Sequence, residues 1–231
     1  MSEHGELADL MWELRRWDTP TLCNAVERLG IRDRTLGFLG LRIRCLFPEM
    51  GPMVGFALTA RFDCTTPGPP PETHVIDLLS ALDRTPHPTV IVMQNESADA
   101  SRGCAFGEVM ATASRALGAV GLVTDGGVRD VTEVRQLGFH YFAAGTVPAH
   151  GNFQIRAIGE PVELEGQRIA PGDVIHADWN GVAIFPADCL GELVQAAARV
   201  RQAEAEIMKA AGRTDGDRLS AIQAAMRRVD G

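Results

Sequence analysis

The chain has little that would mark it for nucleic acid or for a membrane. Its 231 residues carry 22 Lys and Arg against 30 Asp and Glu, a formal net charge of -8 and a pI near 5.3. Phosphate backbones and anionic lipid surfaces need basic residues gathered on one face, so neither is an expected partner. Aromatic residues are scarce at 6%. Trp12, Trp17, Trp179 and Tyr141 are scattered, which suits core or interface packing better than a base-stacking platform. No uninterrupted apolar run approaches the ~20 residues that span a bilayer. MSEHGELADLMWELRRWD carries acids early and lacks a basic region followed by an apolar run, so no signal peptide is expected. The five cysteines, Cys23, Cys45, Cys64, Cys104 and Cys189, have neither short pairing nor zinc-type spacing with the six histidines. They read as reduced thiols of a soluble cytoplasmic protein. Internal repeats and low-complexity segments are also missing.

What is present fits a globular α/β protein. Hydrophobic residues are 45% and charged residues 23% of the chain, so a sizeable core is expected, and the length suits one domain. Leu7, Leu10, Met11 and Leu14 fall at helical spacing, and Thr19-Pro20 suggests a cap and first turn for a second helix ending at Gly30. LRIRCLF and VGFALTARF read as strands, and TTPGPPPETH as a rigid proline-rich loop. Next come a helix (THVIDLLSALD), a strand (TVIVMQ), a helix (GEVMATASRALG), a strand (AVGLVTD) and a helix (DVTEVRQLG). Such alternation predicts parallel strands with right-handed crossovers. Beyond HYFAAG the segments PVELEG, QRIAPGDVIHAD and VAIFP read as meandering strands with Asn180-Gly181 as a hairpin turn, and a last long helix is expected from about Ala187 to Ala211.

Topology then places Glu108 beside the turn from Asp125 to Asp130. A helix of about eleven residues covers roughly 16 Å and a strand of seven roughly 23 Å, so the crossover returns the chain to the carboxyl edge where it left. Ligands of open α/β sheets bind at that edge. The helix opening near Gly107 offers unpaired N–H groups to an anion, and Asp125-Gly126-Gly127 can take backbone angles closed to other residues. Arg129 supplies a planar fork for a carboxylate or enolate, while Glu108 and Asp130 are oxygen donors of the kind Mg2+ or Mn2+ prefers. A purely structural account fits the same residues equally well. Asp130 and Glu133 have the spacing of a capping box, Arg129 could pair with a helix-end acid, Glu108 could complement a helix dipole, and Asp125 could be a turn residue.

GEVMATASRALGAVGLVTDGGVRDVTEVRQLGFHYFAAGTVPAHG, with LCNAVERLG, VGFALTARF and PGDVIHADWNGVAIFP, resembles the RraA-like family over nearly the whole chain. That family includes class II aldolases acting on 4-hydroxy-4-methyl-2-oxoglutarate and a regulator of ribonuclease E. Its acidic residue, twenty-residue gap and Arg-Asp pair recur as Glu108, Arg129 and Asp130. The resemblance implies an α/β/β sandwich with a long C-terminal helix, assembled as a homotrimer or homohexamer. Residues 1–231 would then be one domain, with the helices at about 6–29 and about 187–211 as oligomer-contacting extensions. It also implies that Asp130, with Glu108, holds Mg2+ or Mn2+ and that Arg129 binds a 2-oxo acid. Backbone groups between Ala105 and Met110, chiefly of Gly107, Glu108, Val109 and Met110, would contact the pyruvyl carboxylate. A Glu from a neighbouring subunit's C-terminal helix, matched by Glu204 or Glu206, would complete the site. The implied chemistry is lysis of a carbon–carbon bond through a pyruvate enolate, by retro-aldol cleavage or oxaloacetate decarboxylation. A Schiff base is not needed, and the sole lysine, Lys209, falls in the last helix. Two departures stand out: Met93-Gln94-Asn95-Glu96 replaces a frequent Asp-Gly-Gly run, and Asn180-Gly181 a frequent Asp-Gly.

Other candidates read as structural. His140, His150 and His176 lack ligand spacing, Arg102 suits a solvated loop although it could reach a distal carboxylate, and Cys104 has no His partner in sequence.

Overall fold

The structure is a computed structural model that describes residues 3–68 and 75–229. It opens with α1 (Glu3–Leu14) and α2 (Thr19–Leu29), followed by β1 (Arg44–Cys45), β2 (Met53–Asp63), α3 (Val75–Asp83) and β3 (Thr89–Asn95). Next are β4 (Cys104–Phe106), α4 (Glu108–Ala116), β5 (Ala119–Thr124), β6 (Gly127–Val128), α5 (Val131–Leu137), β7 (His140–Ala143) and β8 (Gly145–Thr146). The chain ends with β9 (Gln154–Ile158), β10 (Val162–Leu164), β11 (Gln167–Ile169), β12 (Val174–Asp178), β13 (Gly181–Phe185), α6 (Leu190–Ala211) and α7 (Arg218–Val229). The expected proline-rich loop lies partly outside the described residues, at 69–74.

The main sheet runs β1-β7-β5-β3-β2-β12-β13, with β9 also on β2. β7, β5, β3 and β2 are mutually parallel, each step made by one of the helices α3, α4 and α5. Because successive side chains of a strand point to opposite faces, Ile91 and Met93 pack with Leu78, Ala111, Leu122 and Val134 on the helix side, while Val90 and Val92 pack on the other. There the β10–β11 hairpin contributes Val162, Leu164 and Ile169, so the layers are helix, sheet and a second β layer. The result is an α/β/β sandwich. A third core joins α1, α2 and α6 to β12 and β13 through Leu14, Leu22, Leu193 and Phe185. β4, β6 and β8 form a separate three-stranded parallel sheet.

Several boundaries differ from the sequence reading. The cap of α2 is Asp18, whose carboxylate accepts from Thr21 N–H at 2.9 Å; Thr19 is already helical and gives its N–H to Asp178. Of LRIRCLF only Arg44 and Cys45 pair, against the short β7. Asp178 pairs with Gly181, so the hairpin loop is Trp179-Asn180, one residue earlier than expected, with Asp178 accepting from Asn180 N–H at 2.8 Å. The last long helix starts at Leu190 after a 3-10 turn over Ala187–Cys189, and α7 follows it.

His176 shows how the α2 corner is fixed to the sheet. It is fully buried, with Nε2 at 3.2 Å from Leu14 O and Nδ1 at 2.9 Å from Thr19 Oγ1. A carbonyl only accepts, so Nε2 carries the proton and Nδ1 accepts from the hydroxyl. Burial pushes its pKa down to about 4. Below pH ~6.5 the unfolded chain therefore binds a proton that the folded chain refuses, and stability falls as pH drops from ~6.5 towards ~4. Between pH 7 and pH 5 the wild type should lose about 2 kcal/mol more than His176→Gln, measured by denaturant unfolding at the two pH values.

Candidate active site

The site is built where α4 and α5 begin. Gly107 precedes α4 in an extended conformation, and a Cβ there would lie 2.4 Å from Asp130 Oδ2 and 2.9 Å from Arg129 Nε. Only glycine permits that approach. Arg129 is brought alongside by the β4–β6 ladder, which continues as Arg129 N–H to Phe106 O at 2.9 Å. Asp130 then turns into the left-handed region (φ 54, ψ 43), which a short polar side chain tolerates better than most.

That turn sends the Asp130 carboxylate across to the neighbouring helix. Oδ2 accepts from Glu108 N–H at 2.8 Å and lies 3.6 Å from Arg129 Nε. The capping box that is the structural alternative for Asp130 and Glu133 is not formed, because the Asp130 carboxylate accepts from α4 and makes no side-chain cap to α5. The next N–H groups, of Val109 and Met110, fall in the first turn of α4, where a helix supplies no acceptor. Val109 is 82% exposed, Glu108 is exposed, and Arg129 and Asp130 are half-buried, so the cluster is open to solvent. The structure thus brings Gly107, Glu108, Val109, Met110, Arg129 and Asp130 together.

The glycines of the preceding turn serve a different purpose from the expected one. Neither Gly126 nor Gly127 has a positive φ. A Cβ on Gly126 would meet the Phe62 ring at 2.6 Å, and one on Gly127 would meet Val147 Cγ2 at 2.6 Å. Close packing demands them. Asp125 is a connector: its Oδ1 accepts from Asn95 N–H at 2.7 Å, tying the ends of β3 and β5. Burial raises its pKa to about 6.

Other candidates lie outside this cluster. Glu204, on α6, accepts from Asn24 Nδ2 at 3.2 Å and sits 3.6 Å from Arg201, and α6 packs on α1, α2 and α7 rather than on α4 or α5. Glu206 and Lys209 line a groove between α6 and α7. Glu96 pairs with Arg61 at 2.9 Å, and exposed Arg102 with Asp99 at 3.1 Å. His140 is buried against Gly51 O, while exposed His150 bonds within its own loop. Cys104 is buried, and burial raises its thiol pKa. Tyr141, read only as packing, has a buried hydroxyl with no partner, and burial, with the nearby Asp130 charge, holds it protonated. Its position within an aromatic cluster with Phe47 and Phe139 gave no sequence signal. Among the described residues no three His, Cys, Asp or Glu side chains form a metal-binding group.

An α/β/β sandwich with an Arg-Asp pair locked to a helix N-terminus at the carboxyl edge defines the class. The RraA-like model, described as Aldolase/RraA, matches residues 19–184, and the chain belongs to that family. It is 26% identical over 211 residues to Protein DlpA of Legionella pneumophila, covering 90% of this chain and 32% of that protein. It is 30% identical over 143 residues to the Halalkalibacterium halodurans protein named "Putative 4-hydroxy-4-methyl-2-oxoglutarate aldolase", covering 62% of this chain and 66% of that one. The matched region thus spans about a third of the first relative and just under two thirds of the second. Among solved structures, Streptomyces coelicolor RraAS2, described as an unusual member of the RNase ES inhibitor RraA protein family, superposes with TM-score 0.69 at 27% identity, covering 85% of this chain and 94% of that one.

Substitution at Asp130 can separate charge from fold. Asp130→Asn keeps the left-handed tolerance and an acceptor for Glu108 N–H, so its unfolding free energy should stay within about 0.5 kcal/mol of wild type. Asp130→Leu loses both and should cost about 2–3 kcal/mol in the same urea titration.

Proposed function

We propose that the chain is a divalent-metal-dependent lyase that cleaves a carbon–carbon bond of a 2-oxo acid through a pyruvate enolate. The observation that carries this reading is the Asp130 carboxylate fixed on Glu108 N–H with Arg129 beside it. The donor set suits Mg2+ or Mn2+: two carboxylates open to solvent, one with an oxygen not committed to Glu108, for an ion that keeps several waters and takes one or two protein carboxylates. Asp130 and Glu108 would hold the ion, which when bound supplies electrophilic charge to the 2-oxo group.

The chain's own groups account for the rest. The N–H groups of Val109 and Met110, at the positive end of α4, receive the substrate carboxylate. The Arg129 guanidinium stabilises the oxygen that gains negative charge as the C3–C4 bond breaks. In decarboxylation the C4 carboxylate leaves as CO2 and C3 later takes a proton. In retro-aldol cleavage the 4-hydroxyl loses its proton as C4 becomes a carbonyl. Glu108, exposed at the mouth of the site, relays these protons. Glu204 of a neighbouring subunit in a homotrimer or homohexamer would add a further carboxylate. All five cysteines are free thiols, which fits the reducing cytoplasm that this reading assigns to the chain.

The test is pyruvate release from oxaloacetate and from 4-hydroxy-4-methyl-2-oxoglutarate with Mg2+, with Mn2+ and with chelator. Metal-dependent release is expected, reduced about 10²–10³-fold by Arg129→Ala and equally sensitive to Asp130→Asn. No release from the folded protein under any of these conditions would sink the reading. The likeness to RraAS2 favours a second reading, a protein-binding regulator of a ribonuclease. Capture of a ribonuclease that is indifferent to Asp130→Asn, together with no lyase activity, would favour it.

A further inference from the structure

A second cleft lies at the opposite edge of the sheet. Its volume is about 480 Å³, within the range of small-molecule pockets, and its walls come from the amino ends of β2, β3, β5 and β7. Arg15 and Arg115 stand over it, Met50, Met53 and Pro88 give it apolar surface, and His140 forms part of the wall. No Asp or Glu lines it, although the chain carries eight more acidic than basic side chains.

Neighbouring charges leave the two arginines available. Arg16 pairs with Glu13 at 3.0 Å, and Arg135 with Glu49 at 2.5 Å. Among the described residues neither Arg15 nor Arg115 has an ion-pair or side-chain hydrogen-bond partner. His140 borders the cleft. The residue is only 4% exposed, its Nε2–H donates to Gly51 O at 3.0 Å, and its Nδ1 is buried with no partner. Nδ1 is closed to solvent, so the ring borders the cleft without offering that nitrogen to an occupant.

Electrostatics select the sign of the ligand. Arg115 is in the last turn of α4, and Gly138, also in the wall, ends α5. Each helix end carries roughly half a negative charge at most, which opposes an anion, but two guanidinium groups supply two full positive charges. The positive charge wins. A planar guanidinium pair favours a carboxylate or phosphate over a halide, and the apolar wall favours an organic body attached to it.

We propose that this cleft is a binding site for a small organic anion, its carboxylate or phosphate held by Arg15 and Arg115 and its apolar part packed against Met50, Met53 and Pro88. The site is separate from the lyase reading and does not depend on it. The experiment is calorimetric titration of the full chain at constant ionic strength with phenylacetate, phenyl phosphate, inorganic phosphate and neutral phenylacetamide, with the His140 ring followed by NMR. Phenylacetate or phenyl phosphate should bind at least tenfold more tightly than phenylacetamide or inorganic phosphate and should shift the His140 signals. The stronger of the two identifies the head group. Arg15→Gln/Arg115→Gln should weaken that binding at least tenfold, because the charged hydrogen bonds to the head group are lost, while Arg129→Ala at the other edge should not. Three outcomes would overturn the proposal: binding indifferent to the arginine substitutions, binding lost with Arg129→Ala, or a change of sedimenting mass in Arg15→Gln/Arg115→Gln, which would make the cleft a contact between copies.

Discussion

The site depends on one hydrogen bond, from Glu108 N–H to the carboxylate of Asp130. It joins the first residue of α4 to the residue before α5, so the two helices begin at a common point. The bond is not free of cost. A non-glycine residue in the left-handed region forfeits about 1–2 kcal/mol, close to what a good N-cap returns. By itself the interaction would roughly break even. What holds it is the β4–β6–β8 sheet, through Arg129 N–H to Phe106 O and Val147 N–H to Val128 O, which leaves the Asp130 backbone little other course.

The main sheet explains why this happens at its carboxyl edge. The pairing of β3 with β5 ends at Met93 and Thr124, and the bond from Asn95 N–H to Asp125 ties the chains just beyond it. Gly126 and Gly127 then let the chain pass against Phe62 and Val147 into the small sheet. Backbone and packing thus position Arg129 and Asp130 before any ligand is considered. The residues read from the sequence as departures from the family's frequent run sit just beside this path: the Asn95 side chain accepts from Ser97 N–H at 2.9 Å, and Glu96 pairs with Arg61.

Elements that repeat a clear period were legible in the sequence. α2, β2, β3, α4, β5 and α5 fall where the spacing of apolar residues and the closing glycines put them. The small sheet was not legible, since strands of two or three residues are too short to show a period. LRIRCLF alternates convincingly yet pairs for only two residues, because its one neighbour, β7, is four residues long. The convergence of Glu108 with Asp130 followed from crossover geometry. Its form did not. A capping box is a local pattern, whereas the N–H that the Asp130 carboxylate accepts from is twenty-two residues away, and nothing local distinguishes the two.

Local charge gives a separate argument about what the site can hold. Salt screens charges beyond about 8 Å, so the net charge of -8 matters less to a bound substrate than the groups beside it. Glu108 and Asp130 bring two negative charges, Arg129 one positive, and the α4 N-terminus about half a positive charge. The sum is about half a unit negative, which repels a 2-oxo acid. Adding a divalent cation takes the same cluster to about one and a half units positive without moving a side chain. Removing one carboxylate would also make it positive, but would discard either the bond to Glu108 N–H or the exposed carboxylate of Glu108. An arrangement that keeps both carboxylates and still receives an anion is the one that binds a cation first.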